Sequence, residues 1–192
     1  MARSVGIDRQ QVVAAAAELA DRAGLEALTL AQVAAQLGVR LPSLYNHVDG
    51  LTGLRREMAL LGQRQLLERI SRAAIGKAGE AALIAVGQAY RRYVLEHPGV
   101  YTASVRAPAP DDAEMQQVGQ TIIEVLLAVL EPYGLDQESA IHAIRGLRSI
   151  AHGFTTLELA GGFGLVLDRD ESFLRLLRAY VAGLGTKGIP DL

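Results

Sequence analysis

The chain has 192 residues, half of them hydrophobic and 21% charged, a balance that suits a globular protein with a sizeable core and excludes a disordered one. It holds no cysteine, which excludes disulfides, thiol catalysis and Cys-ligated zinc together. The net charge of −2 excludes a chain that is basic all over, although residues 1–72 carry nine Arg against seven acids, so a nucleic-acid footprint would be a local patch. No long uncharged apolar span and no signal-peptide core is visible, and the expectation is a cytoplasmic protein outside the membrane.

In chain order, Asp8 followed by Gln11 has the spacing of a helix-capping box, with Ile7 and Val12 as a staple. Val12, Ala16, Leu19, Ala20 and Ala23 then form an inner stripe that ends at Gly24. Arg3 and Arg9 flank this first helix and could touch phosphate. Thr29 and Gln32 repeat the box before a short helix whose apolar face is Leu30, Val33, Ala34 and Leu37. Gly38 stops that helix and Pro42 restarts the chain as another. Leu44 and Val48 face inward there, leaving Arg40, Ser43, Tyr45, Asn46 and His47 outward. Two short helices joined by a glycine turn, the second polar outside, form a helix-turn-helix. Its outward residues suit DNA: Arg and Asn pair with base edges, while Tyr and His bond phosphate.

From Gly53 a helical pattern runs to about Ala74, and Gly76 to Gly79 breaks it. Arg55 and Arg56 in its first turn are equally phosphate ligands or ordinary surface charge. Further helices are expected over 80–97, over a short piece at 100–105, and over 114–131. A Pro- and Asp-rich loop, 106–112, is expected to be mobile or ordered only by contacts. Asp136 caps a long helix with two apolar stripes, and Asp170 caps a last one. A helix apolar on two sides must be buried on two sides. Ala143, Gly146, Ile150, Gly153 and Leu157, with Phe173, Leu177, Tyr180 and Leu184 of the last helix, are therefore expected to form a four-helix interface between two copies. The competing reading packs both stripes inside one monomer.

The run LAQVAAQLGVRLPSLYNHV, preceded by AGLEALT, resembles the N-terminal domain of the TetR family of bacterial repressors. The matching marks are Thr29, Leu37-Gly38-Val39 and Leu44-Tyr45-Asn46-His47-Val48. Where such proteins place a Lys at the start of the fourth helix, this chain has Leu51, preceded by Asp49 and Gly50. The run from Leu147 to Leu184, with His152-Gly153, a glycine-phenylalanine loop and a terminal Gly-Leu, is similar to the C-terminal domain of a subset of these regulators. The resemblance implies a homodimer through that helix pair.

The expected architecture is all-α with about nine helices: a three-helix head over 1–52 and a helical ligand-binding and dimerisation domain over 53–192. The expected function is a dimeric repressor that places Pro42 to His47 of each protomer in a major groove of a palindromic DNA operator. Arg40, Ser43 and Asn46 are assigned to base edges, and Thr29, Tyr45 and His47 to phosphates. A small apolar or aromatic effector would release DNA through a pocket lined by Tyr90, Tyr93, Tyr101, Met115, Ile122, Leu126, Arg148 and Phe154. The alternative is a helical dimeric ligand-binding or protein-interaction module with weakened DNA binding, which Asp49 and Leu51 favour.

An enzyme is not expected, nor is a cofactor or metal. His47, His97, His142 and His152 lack the metalloprotease spacing to Glu, and no nucleophile elbow or phosphate loop is present.

Overall fold

The computed structural model describes residues 7–185, and these are all-α, with nine helices, two 3-10 turns and no strand among them. The helices are α1 (Arg9–Ala23), α2 (Leu30–Leu37), α3 (Leu41–Leu44), α4 (Gly50–Ala74), α5 (Gly79–Glu96), α6 (Pro98–Ser104), α7 (Ala113–Leu130), α8 (Gln137–Leu159) and α9 (Arg169–Leu184). Both capping boxes form: the Asp8 carboxylate accepts from Gln11 N–H at 2.8 Å, and Gln11 Oε1 accepts from Asp8 N–H at 2.9 Å. Asp136 caps α8 as expected. Several starts differ from expectation, α6 beginning at Pro98 rather than Val100. Helix α4 begins at Gly50 rather than Gly53, and α9 is capped by Asp168 rather than Asp170. No single helix among the described residues is long and apolar enough to cross a membrane.

The chain forms two compact units. One holds the residues up to Gln65 together with Glu96–Gln116, and the other holds Leu66–Leu95 together with the residues from Gln117 onward. The core of the first unit is built from Val12, Ala16 and Ala20 of α1, Val33 and Ala34 of α2, Leu44 of α3, Val48, and Leu54 and Met58 of α4. Removing one side chain such as Leu44 from water contributes roughly 1.5–3 kcal/mol.

Helix α6 belongs to this unit because it lies directly on α1. A Cβ added at Gly99 would fall 2.2 Å from the carbonyl of Ala20, so the two helices meet backbone to backbone. Asp21 at the end of α1 also caps α6. Its Oδ1 accepts from the N–H groups of Gly99 at 2.8 Å and Val100 at 3.0 Å, and its Oδ2 lies 3.0 Å from His97 Nδ1. Pro98 at the start of α6 lacks the N–H that a first turn would leave unbonded.

In the second unit Ala140, Ile144, Leu147 and Ala151 of the first apolar stripe of α8 are buried and its Phe154 is half-buried, and Phe173, Leu177 and Val181 of α9 are buried. Leu177 fills the space over Gly87 of α5, where an added Cβ would lie 2.8 Å from its methyl groups. This corrects part of the expected dimer surface. Phe173 and Leu177 are 1% and 0% exposed within the single chain, and Ala143 is buried as well. Gly146 is covered by Tyr180 of its own chain, whose hydroxyl donates to the Ala143 carbonyl at 2.6 Å. Burial lifts the Tyr180 phenol above its ordinary range. Ala143, Phe173 and Leu177 thus pack inside their own chain, while Gly146 and Tyr180 stay half-buried.

Arg91 anchors the far end of the α8–α9 pair. Its guanidinium makes a two-pronged pair with Glu158 at 2.8 Å on each arm and reaches Asp170 at 2.7 Å. The rings of Phe154 and Phe173 lie 5.5 and 5.3 Å from its central carbon, within cation–π range. Asp170 is held by this arginine, and Asp168 is the residue whose side chain accepts from the first N–H groups of α9.

Candidate nucleic-acid interface

The first unit positions its outward side chains by burying their neighbours. Thr29 Oγ1 accepts from Gln32 N–H at 3.3 Å, which fixes the entry of α2. Gly38 ends that helix at φ 66°, a left-handed conformation that a side chain would strain. The chain then turns into α3, which is a single helical turn with Pro42 near its start. Tyr45, Asn46 and His47 follow as continuing turns, tied by His47 N–H and Val48 N–H to the Leu44 carbonyl at 2.9 and 3.1 Å. The segment from Pro42 to His47 is therefore shorter as regular helix than the sequence suggests, yet it keeps a helical course. With Leu44 and Val48 buried, Arg40, Pro42, Tyr45 and Asn46 are exposed, and Ser43 and His47 are half-buried. Tyr45 is 58% exposed. The side chains of Arg40, Tyr45 and Asn46 have no hydrogen-bond or ion-pair partner among the described residues.

The residues around this surface separate into two groups. Leu51, which stands where the resemblance places a Lys, is half-buried and packs on the core of the first unit. Asp49 is exposed, and its carbonyl takes the N–H of Gly53. Arg55 and Arg56, equally ligands or surface charge from sequence, are both held inside the unit. Arg55 donates to Glu26 and to the Leu25 carbonyl at 3.2 Å each. Arg56 binds Asp112, Glu114 and Glu57. Arg9 donates from Nε to the His47 carbonyl at 3.2 Å, whereas Arg3 lies outside the described residues.

Three polar residues that organise this unit were not singled out by the sequence reading: Asp21, Glu57 and Asp112. Only Asp112 carried a local signal, an acid directly before a helix. It accepts from Met115 N–H at 3.2 Å as a first-turn cap. The loop before it is held by contacts, since Gln116 Nε2 donates to the carbonyls of Ala109 and Pro110 at 3.1 and 2.8 Å.

The residues expected to line an effector pocket are divided between the units. Tyr101 and Met115 are buried in the first, and Tyr90, Tyr93 and Leu126 are buried in the second with Ile122 half-buried. The remaining two stand apart from this buried set. Arg148 is exposed on α8. The Phe154 ring is taken up by Phe163, Phe173 and Arg91, with ring centroids 4.7 and 5.0 Å away. A shallow open groove at the start of α8 is lined instead by Gln137, Glu138, Ile141, His142 and Arg145.

Residues 83–180 match the family model described as "Tetracyclin repressor-like, C-terminal domain". An uncharacterised HTH-type transcriptional regulator of Bacillus subtilis is 34% identical over 185 residues, covering 96% of each chain. A second such regulator, from Mycobacterium tuberculosis, is 36% identical over 96% of this chain and 84% of its own. Among solved structures, a TetR variant from Acinetobacter baumannii in complex with minocycline superposes with a TM-score of 0.72 at 23% identity, over 92% of this chain and 96% of that one. ActR of Streptomyces coelicolor, in complex with (S)-DNPA, gives 0.65 at 20% identity over 93% and 97%. With a helix-turn-helix in its first unit, a matched C-terminal domain and relatives of this identity over nearly its whole length, the chain belongs to the TetR family of DNA-binding transcriptional regulators.

Proposed function

We propose that this regulator is a cytoplasmic homodimeric repressor, not an enzyme, which binds a palindromic operator and leaves it when a small apolar or aromatic molecule binds. Residues 1–52 read the DNA, and residues 53–192 take the effector and pair the protomers. The observation that carries the reading is the α3 segment: Leu44 and Val48 are buried, while Arg40, Tyr45 and Asn46 are exposed with no partner among the described residues. Arg40, Ser43 and Asn46 contact base edges, and Thr29, Tyr45 and His47 contact phosphates. Dimerisation uses what the single chain leaves open on α8 and α9, namely Ile150, Gly153, Leu157 and Leu184. Leu157 is 53% exposed and Gly153 has open space around it, so a second helix can approach closely there.

The effector is held in the second unit by Tyr90, Tyr93, Ile122 and Leu126, an apolar set with two hydroxyls. Two structural neighbours, solved with minocycline and with (S)-DNPA, lend the fold's capacity for such ligands. A ligand releases DNA only through its difference in affinity for the two conformations.

The test is selection from randomised duplex DNA at near-physiological salt, followed by sequencing. Recovery of a palindrome supports the reading, and Asn46→Ala is then expected to relax one position of each half-site, costing about 1–3 kcal/mol there. Recovery of nothing shared, from a folded dimer, favours an interaction module whose head binds DNA weakly.

A further inference from the structure

Within the first unit a continuous line of charges joins the loop before α7 to the end of the reading segment. Asp112 grips Arg56 with both oxygens, accepting from Nη2 at 2.7 Å and from Nε at 2.8 Å. Glu114 adds a third contact to Arg56 at 3.0 Å and a separate one to Arg64 at 2.6 Å. On its other side Arg56 Nη1 donates to Glu57 Oε1 at 2.7 Å, and the same oxygen lies 3.7 Å from Arg9 Nη2. Arg9 Nε in turn donates to the carbonyl of His47, the last residue of the reading segment. Glu57 and Asp112 have side chains only 14% and 16% exposed, so the joints of the line are sheltered although its arginines reach the surface.

We propose that this line is a positioning relay: Asp112, Arg56 and Glu57 set where Arg9 holds the His47 carbonyl, and so set the pose in which Tyr45 and Asn46 meet DNA. Glu57 is the pivot, because one carboxylate oxygen is shared between two guanidinium groups. Whatever withdraws Arg56 leaves Glu57 to Arg9 alone and changes how Arg9 is held. A cation on the final carbonyl of a helical segment is also favourable in itself, which gives Arg9 a reason to stay there. Asp112 lies at the junction of a proline-rich loop and α7, where a shift of that helix's start pulls directly on Arg56. None of these three residues is placed on the DNA. Their influence is on fit, and they act on specific binding and leave general attraction to phosphate alone.

The relay rests on the DNA-binding reading, and its test separates the two. The affinity of the wild type for the duplex it selects, and for a scrambled duplex, is measured beside Asp112→Asn, Arg9→Gln and the double variant, with folding checked by circular dichroism. Asp112→Asn is expected to weaken specific binding about fivefold and Arg9→Gln about tenfold, while the double variant loses about tenfold and not fiftyfold, the mark of residues acting through one another. Scrambled-duplex affinity stays unchanged for Asp112→Asn. Glu57→Gln, which keeps its size, should make the effects of the other two independent. Losses that multiply in the wild-type background, or an Asp112→Asn protein that binds its site normally, overturn the relay. Failure of the wild type to select any sequence overturns the DNA-binding reading instead.

Discussion

Arg56 and Arg91 are the charge hubs of the two units, and they solve the same bonding problem in different surroundings. Each guanidinium holds one carboxylate with two prongs; Arg91 holds one further carboxylate singly, and Arg56 holds two, Glu114 and Glu57. Arg91 is 11% exposed and lies against two phenylalanine rings, whereas Arg56 is 35% exposed and is ringed by acids. Both are held above the ordinary arginine range, Arg56 chiefly by hydrogen bonding to Asp112 and Arg91 chiefly by hydrogen bonding to Glu158. The difference lies in what water and salt can do. A sheltered pair keeps its attraction and is costly to break, while an exposed one is screened and changes partners readily. Arg91 therefore suits a permanent anchor and Arg56 a joint that moves.

That contrast can be broken by substitution. Arg91→Ala leaves Glu158 sheltered without its cation and opens a space between the rings, and is expected to destabilise the protein by about 3 kcal/mol. Chemical denaturation would read this as a lower midpoint, and a loss below about 1 kcal/mol would remove Arg91 from the role of anchor. Next in size, Gly99→Ala forces a methyl group onto the Ala20 carbonyl and should cost about 2 kcal/mol, with faster amide exchange across α6. Normal exchange there would mean that α6 adjusts on α1 at little cost. Smaller again, Arg56→Met should change stability by less than about 1 kcal/mol at 0.1 M salt, and by nothing measurable at 1 M. The Arg91→Ala deficit should survive the same salt, and equal salt sensitivity in both would erase the distinction.

The smallest effect is in pH. Hydrogen bonds from Arg56 hold the Asp112 carboxyl down at about 2, from an ordinary value of 3.8. A carboxyl lowered by folding stabilises above its unfolded value, and that contribution disappears as pH falls through the folded one. The gap in melting temperature between wild type and Asp112→Asn should therefore be flat from pH 7 to about 5 and close between about pH 4 and 2. Closure already at pH 6 would show that another group controls the clasp.

How much of this was legible in the sequence depended on how local the cause was. Caps at Asp8, Thr29 and Asp136, the stop at Gly38 and the burial of Leu44 and Val48 each follow from residues within a few positions, and the helices formed accordingly. The cap of α9 was placed two residues late because Asp168 and Asp170 are equally suited to it locally. A contact with Arg91, 79 residues away, holds Asp170. The two stripes of α8 were visible, but periodicity cannot say whether a stripe meets its own chain or another. Gly146 looked like room for a partner helix and is room for Tyr180. The clasp of Asp21 on α6 and the Arg56 cluster join positions 56 to 79 residues apart, and no pattern along the chain announces them.

The meeting of α1 and α6 at Gly99 has a mechanical consequence. Helices that interlock through side chains move past each other in jumps, because each knob must leave one hole before entering the next. At Gly99 there is no knob, since peptide rests on peptide and Asp21 holds the end of α6 like a pin. Such a contact leaves no room for a side chain between α1 and α6 and resists their separation.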